Sequence, residues 1–557
     1  MTLALRPPEV VMRLERMGAA FATRLSFMRV LVRRMHDEGW RIACDGWAVG
    51  ADGTGHATYR IETPGAVLGF VAFAHALAPE ERTDRVIAEK WDATFALVDA
   101  PPDAATVARL AANVPLQEAG RYAPGDLVLS RANKSVRLFD RVADDLAAGR
   151  QPDAARVAEV GYLMRTTAVY GNGKFGLADL GRVHGGPVFA TPFQAEMLTV
   201  YLIRAFTFDL VEHEARRRGG DKAVPLDRAL KRSLGIGNAT GLGMAPFLVG
   251  HPLLVHRWFL ARETALARAR AVERADAGAR ERFLTVLGRA RRHAGQWRTD
   301  DARLAARVTG LRSDLERLES WLEGEGRGAL AGPRPWDAVV RHVEEVGGVE
   351  LQEMVCSAVV EVNGAAVDDL AAGTGADEAM ALDPAMTVGA LLDQVERSYG
   401  WALGYDFEVP EAQHLFWYVS EEKLEPRLGE RYSEPGCELE SRIGIAREVQ
   451  ALRTALRAAP AEQSVAAFLL AWPRWRFIVR RVQATEGLAY AEIRDNLLDR
   501  ACMPIDILRW KLAYFGATKF DPKSDRWVRI TMYQGAPLAD ELDRDDADDW
   551  AFPVLAA

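Results

Sequence analysis

The sequence predicts an α+β fold in which helix predominates, and two patterns along the chain support this class. Short runs rich in β-branched and aromatic residues occupy positions 40–98 and are separated by glycine and proline turns. Most of the remaining chain repeats apolar residues every three or four positions, as amphipathic helices do. The 557 residues are 49% hydrophobic and 27% charged, which is typical of globular proteins and excludes disordered and fibrous classes.

Residues 1–125 are predicted to form an α+β domain. A helix over 9–38 precedes strands at 40–49, 56–62, 66–74 and 86–98, and a second helix follows near 104–112. Connections as short as Gly-Thr-Gly and Pro-Gly favour antiparallel pairing of the strands. We therefore expect an N-terminal antiparallel sheet with helix on one face.

The rest of the chain is predicted to be mainly helical, in three further domains. Residues 126–256 form a helical domain with glycine-rich loops, and 333–557 form a helical domain with strand-like runs at 415–419 and 527–533 and an acidic, solvated tail at 540–549. Between them, 257–332 form a helical arm with a heptad seam that could close a hairpin or support a homo-oligomer. The seam residues are Leu304, Val308, Leu311, Leu315, Leu318 and Leu322.

Charge and cysteine content exclude several classes of protein. The net charge of -8 comes largely from the acidic tail, so the body has no basic field of the kind that non-specific nucleic-acid binding needs. Four dispersed cysteines indicate neither a disulfide framework nor a zinc site, and no metal site is predicted. Apolar runs are too short to cross a bilayer, and positions 1–17 lack a signal-peptide core. We predict a cytoplasmic protein without a membrane partner.

The segment from Arg165 to Gly176 is the favoured functional segment. It combines a guanidinium, hydroxyls, a phenol, an amide and an ammonium on a predicted glycine-rich loop, a mixture suited to holding a carboxylate or phosphate. Tyr170 and Lys174 are the predicted catalytic residues, because a nearby ammonium would lower the pKa of the phenol from about 10. The predicted substrate-binding residues are Arg165, Thr166, Thr167, Asn172, Asn238 and Thr240.

A second glycine-rich segment, 235–243, is predicted to be an anion-binding or helix-connecting loop. Its spacing is similar to the dinucleotide turn of short-chain dehydrogenases, but that turn follows a strand, whereas 226–233 has the pattern of a helix. Two more polar, basic segments lie at 130–137 and 515–523. We expect some of these segments to converge around one pocket for an anion.

The resulting functional hypothesis is a cytoplasmic enzyme of lyase or hydrolase type that acts on a small carboxylate- or phosphate-bearing metabolite. The sequence identifies no cofactor. One alternative is an oxidoreductase that binds NAD(P) or flavin through an atypical site at 235–243. Another is a non-catalytic scaffold that uses the heptad arm to bind a partner helix.

Overall fold

A nine-stranded mixed sheet and a larger set of helices make up the described part of the chain, so the predicted helix-predominant α+β class is confirmed. The computed structural model describes residues 4–82, 90–113, 123–171, 188–189, 191, 193–241, 250–375, 380–408, 444–494, 505–524 and 527–554. The predicted strand at 415–419 lies outside these ranges.

The sheet has the strand order β1-β2-β3-β4-β5-β6-β7-β9-β8. Its first four strands pair antiparallel with their sequence neighbours, and short turns join the first three of them. Among the described strands, only β6 and β7 pair parallel. The strands are β1 (Arg41–Val49), β2 (Gly55–Glu62), β3 (Val67–Ala74), β4 (Ala93–Val98), β5 (Asp126–Lys134), β6 (Tyr162–Gly171), β7 (Gly235–Gly241), β8 (Lys519–Ser524) and β9 (Trp527–Met532).

The region 126–256, predicted to be a helical domain with glycine-rich loops, contains strands β5, β6 and β7 as well as helices. The glycines that suggested a loop at 235–243 serve close packing instead. A Cβ on Gly235 would lie 2.2 Å from the carbonyl oxygen of Met532, and one on Gly237 would lie 2.7 Å from the ring of Tyr162. Glycine in a strand often marks such a close approach, which a reading of glycine as a turn former misses.

The two C-terminal strands do not form a separate short sheet. The strand at Trp527–Met532 has the predicted alternating pattern, but it pairs with β7, and β8 then pairs with β9 at the edge of the sheet. The C-terminal region therefore completes the sheet that the N-terminal region begins.

The described helices surround this sheet and extend from it. The predicted helix at 9–38 is three helices. They are α1 (Pro8–Val11), α2 (Leu14–Ala19), α3 (Phe27–Asp37), α4 (Ala104–Asn113), α5 (Phe139–Ala147), α6 (Ala154–Val160), α7 (Gln194–Gly219), α8 (Arg228–Ser233), α9 (Pro252–Arg270), α10 (Ala277–Gly295), α11 (Ala302–Glu323), α12 (Gly326–Ala331), α13 (Pro335–Val346), α14 (Val349–Val362), α15 (Gly364–Val367), α16 (Val388–Ser398), α17 (Gly400–Leu403), α18 (Ile445–Ala458), α19 (Val465–Ala471), α20 (Arg476–Ala484) and α21 (Ile505–Phe515). In the ranges described, none of these helices has both the length and the apolar character that a bilayer span requires.

The helix α7 lies across one face of the sheet. Its Thr207 hydroxyl lies 3.6 Å from the sulfur of Met164 on β6, and its Asp209 accepts a hydrogen bond of 2.6 Å from the hydroxyl of Tyr59 on β2. The larger hydrophobic core lies between them and contains residues of both the sheet and α7. The α7 helix therefore covers one of the two faces of the sheet.

The heptad seam lies on α11. Its leucines are buried within the chain, and most of them join a second hydrophobic core formed with α10, α13 and α14. One chain thus already covers the seam that could have served a partner helix. A homo-oligomer through 304–322 stays a prediction.

Most acids of the segment 540–549 are exposed, as its composition predicts, but ion pairs also tie the segment to distant parts of the chain. Asp540 pairs with Arg228 at 2.8 Å, and Asp548 pairs with Arg24 at 2.5 Å. The adjacent Trp550 is buried in the larger core. Arginines far away in the sequence thus neutralise charges that appear unopposed in the local sequence.

Candidate functional site

The polar segments singled out in the sequence lie on neighbouring strands of the sheet. Strand β5 carries 130–134, β6 carries 165–171 and β7 carries 235–241. The segment at 519–523 lies on β8, which β9 separates from β7. Segments more than 100 residues apart in sequence therefore meet at the centre of one sheet.

Three polar side chains share the face of the sheet opposite α7, and we call Arg131, Asn133 and Arg165 the arginine face. Asn133 is directly paired with Arg165 across β5 and β6, and residues two apart in a strand project to the same side. Arg165 is 2% exposed, whereas Arg131 is half-buried and its guanidinium carbon lies 3.9 Å from the ring centroid of Trp91. The sheet therefore places two guanidinium groups on one face.

Asn133 adds a hydrogen-bond donor to the arginine face. The side chain is 1% exposed, and its Oδ1 accepts a hydrogen bond of 2.9 Å from the backbone N–H of Asp92. The amide nitrogen Nδ2 is buried and has no hydrogen-bond partner among the residues that the structure describes. A buried donor without an acceptor is costly, so such groups are often functional.

The predicted substrate-binding residues Thr166 and Asn238 lie side by side on β6 and β7, on the face that α7 covers. The amide nitrogen of Asn238 lies 3.4 Å from the carbonyl oxygen of Thr166. The hydroxyl of Thr166 donates a hydrogen bond of 3.1 Å to the carbonyl oxygen of Arg131, and it lies 3.3 Å from the hydroxyl of Ser130. Arg165 precedes Thr166 and thus projects to the opposite face. The sheet therefore places these residues on adjacent strands. It does not place Arg165 and Asn238 in one recess, because their side chains lie on opposite faces.

The remaining predicted site residues are located in part. The backbone of Tyr170 pairs with that of Leu129 on β5, and the backbone of Thr240 pairs with that of Val528 on β9. Thr167 lies in β6 at a bulge between β5 and β6. The predicted residues Asn172 and Lys174 lie outside the described residues.

Sequence reasoning missed the environment of two buried titratable groups, Asp92 just before β4 and Lys134 at the end of β5. Asp92 is fully buried, and its carboxylate accepts hydrogen bonds of 3.0 Å from the backbone N–H of Lys134 and from Nε of Arg82. Burial raises the pKa of Asp92 and lowers the pKa of Lys134. A single carboxylate in the apolar run 91–98 was the available signal.

Glu196 is a second group that the sequence analysis missed. It lies in the first turn of α7 and is 6% exposed, and its Oε2 has no hydrogen-bond partner within the described ranges. Burial raises the pKa of this carboxyl to about 7. A glutamate followed by the apolar residues 197–198 was the only sequence signal.

Asp209, His213 and Cys356 belong to residue types that can bind metals or act as nucleophiles, but each has structural contacts. Asp209 is bonded to Tyr59, and the ring of His213 accepts from the indole N–H of Trp47 at 3.3 Å. Cys356 is buried on α14, and burial raises the pKa of its thiol to about 11. These contacts fit packing better than metal binding or nucleophilic chemistry.

The glycines of 235–241 do not have the geometry of a dinucleotide turn. Gly237 and Gly241 lie inside β7, whereas the turn in dinucleotide-binding proteins follows the strand and begins a helix. The helix expected just before this segment is present as α8.

Comparison with protein-family models, curated proteins and solved structures finds no significant match for this chain.

Proposed function

We propose that the chain is an enzyme that acts on a small carboxylate- or phosphate-bearing metabolite, with the anion bound at the arginine face. The observation that supports this most is the placement of Arg131, Arg165 and Asn133 on one side of β5 and β6, where the amide nitrogen of Asn133 has no hydrogen-bond partner among the described residues. Guanidinium groups bind carboxylates and phosphates through paired, charge-assisted hydrogen bonds.

Lyase or hydrolase chemistry is the proposed reaction class. Such reactions need groups that exchange protons near neutral pH. Asp92 is the buried carboxyl proposed for this role, because its backbone N–H is hydrogen-bonded to Asn133 of the arginine face and burial raises its pKa. Tyr170 and Lys174 remain proposed catalytic residues.

Thermal denaturation with inorganic phosphate, citrate and a panel of small carboxylates tests the binding step. Arg131→Gln and Arg165→Gln should each lower the apparent affinity for the anion at least tenfold, because each removes a charged donor. The anion should therefore stabilise each variant less than it stabilises the wild type. Arg60→Gln is the matched control, since Arg60 is a partly exposed arginine on β2 of the same sheet. If Arg165→Gln does not fold, the half-buried Arg131 still provides the test.

A second pair of variants determines which face binds the anion. Thr166→Val and Asn238→Ala change the α7 side and should leave phosphate affinity within about twofold. Thr374→Val and Asn363→Ala are matched controls, because these side chains also donate to backbone carbonyls, at 2.7 Å each. Equal phosphate-induced stabilisation in the wild type and both arginine variants would reject the arginine face.

A further inference from the structure

A buried lysine lies at the end of β5, on the side of the sheet that α7 covers. Lys134 follows Asn133 in the strand, so its side chain projects away from the arginine face. The residue is 9% exposed, and its Nζ keeps some solvent-accessible surface. This Nζ lies 4.8 Å from the ring centroid of Phe139, and among the described residues no carboxylate oxygen lies within 4.0 Å of it. Lysines are rarely buried without such a partner, so the position is unusual.

Arginines bind the carboxylates whose charge reaches Lys134. The three pairs are Asp92 with Arg82 at 3.0 Å, Asp140 with Arg218 at 2.8 Å, and Glu214 with Arg217 at 2.7 Å. Arg82 also pairs with Asp140 at 3.1 Å, so it holds two of the three acids. Each acid therefore contacts a guanidinium group and leaves the amine without a close negative charge.

This arrangement favours the uncharged form of the amine. Burial lowers the pKa of Lys134, the surrounding carboxylates oppose this only in part, and the charge of Arg82 lowers the pKa further. Lys231 provides a contrast, because it is half-buried but its Nζ pairs with Glu212 at 2.6 Å. An uncharged amine with accessible surface can attack a carbonyl carbon, which an ammonium group cannot do.

We propose that the Nζ of Lys134 is a nucleophile that forms a Schiff base with an uncharged aldehyde or ketone. The nitrogen bonds to the carbonyl carbon, and the carbonyl oxygen leaves as water with the two protons of the amine, so the step needs no further reactant. The substrate class follows from the ion pairs, since each arginine in them already binds a carboxylate and offers no unpaired charge to an anion. This site lies across the sheet from the arginine face and does not depend on the proposed enzymatic function.

Reductive labelling with glycolaldehyde and sodium cyanoborohydride at pH 7, followed by peptide mapping, tests the proposal. The reductant traps the Schiff base as a stable amine, and the map assigns the label to individual lysines. Lys134 should be labelled at least tenfold faster than the exposed Lys222 and the paired Lys231. The ratio of Lys134 to Lys222 labelling should fall as the pH rises to about 10, because exposed amines then lose their protons as well.

Glyoxylate, which has a carboxylate in place of the hydroxymethyl group of glycolaldehyde, tests the substrate class. The ratio of Lys134 to Lys222 labelling corrects for the different reactivity of the two aldehydes. This ratio should be at least threefold lower with glyoxylate, because the charged aldehyde finds no unpaired cation beside Lys134.

The variant Arg82→Gln tests whether the ion pairs keep the amine reactive. It frees the carboxylates of Asp92 and Asp140 to approach the ammonium, so labelling of Lys134 at pH 7 should slow at least threefold. Arg150→Gln is the matched control, because Arg150 is an exposed arginine that also pairs with an aspartate on α5, and this variant should be labelled at the wild-type rate.

The proposal is wrong if Lys134 in the wild type is labelled no faster than Lys222 at pH 7, and this measurement decides it even if Arg82→Gln does not fold. Equal ratios for the two aldehydes would overturn the uncharged substrate class. An unchanged rate in folded Arg82→Gln would overturn the role of the ion pairs.

Discussion

Glu353 and Glu196 are both buried glutamates on helices, yet their charges have opposite surroundings. On α14, Glu353 accepts hydrogen bonds from Arg6 and Arg16 at 2.7 Å and pairs with Arg262. On α7, Glu196 has an oxygen without any such partner in the described residues. Burial raises the pKa of both, but the arginines reverse this effect for Glu353, whose pKa lies well below its usual value, whereas that of Glu196 rises to about 7.

The difference shows that partners, more than burial alone, determine what a buried charge does. Glu353 is part of a network in which Arg6 also binds both oxygens of Glu263, at 2.7 and 2.8 Å, so the network joins the N-terminal segment to α9 and α14. Its charges stabilise packing. Glu196 is instead a group whose ionised form the fold disfavours.

The largest expected effect is the loss of the Glu353 charge. Glu353→Gln should lower the free energy of unfolding by about 3–5 kcal/mol, because it leaves buried arginines without their carboxylate. Urea denaturation at pH 7 measures this loss. Glu345→Gln, an exposed change on α13, should stay within about 0.5 kcal/mol of the wild type. A loss below about 1 kcal/mol for Glu353→Gln would contradict the structural role of the network.

Removal of the Glu196 charge should raise the free energy of unfolding, by somewhat less than removal of the Glu353 charge lowers it. Its folded pKa of about 7 exceeds the ordinary value of 4.5, so the ionised group destabilises the fold increasingly as the pH rises from 4.5 to 7. Glu196→Gln should therefore stabilise the protein by up to about 3 kcal/mol at pH 8. The gain should nearly vanish at pH 4.5. An equal gain at both values would show that packing, not charge, causes it.

The smallest expected effect concerns the reactivity of Cys356, a buried thiol near Glu353. The Sγ of Cys356 lies 3.9 Å from Nη1 of Arg6, yet burial keeps its pKa at about 11, so very little thiolate exists at pH 8. Iodoacetamide should modify exposed Cys44 at least tenfold faster than Cys356, as measured by peptide mapping. Equal rates in the folded protein would mean that Cys356 is accessible.

The predictable parts of the fold are those with local periodicity. Strand β9 could be predicted because Val528, Ile530 and Met532 alternate with polar residues, and β1–β3 because short turns separate them. Strands β6 and β7 were missed because their glycines resemble loop residues in the sequence. Their role depends on contacts such as that of Gly237 with Tyr162, which no local pattern contains.

The candidate site was only partly predictable for the same reason. Sequence composition identified Arg165 and Asn238 as polar residues in unusual segments, but the face to which each projects depends on strand register. Asp548 shows the same limit, since its partner Arg24 lies more than 500 residues earlier. Long-range pairing decides whether a charge is solvated, neutralised or available to a ligand.

The most direct test of the arginine face is a crystal of the protein soaked in sodium tungstate, a tetrahedral anion with strong anomalous scattering. The account predicts an anomalous peak within hydrogen-bonding distance of both Arg131 and Arg165, and its loss in Arg131→Gln crystals. No peak at that face, or one that persists unchanged in the variant, would contradict it.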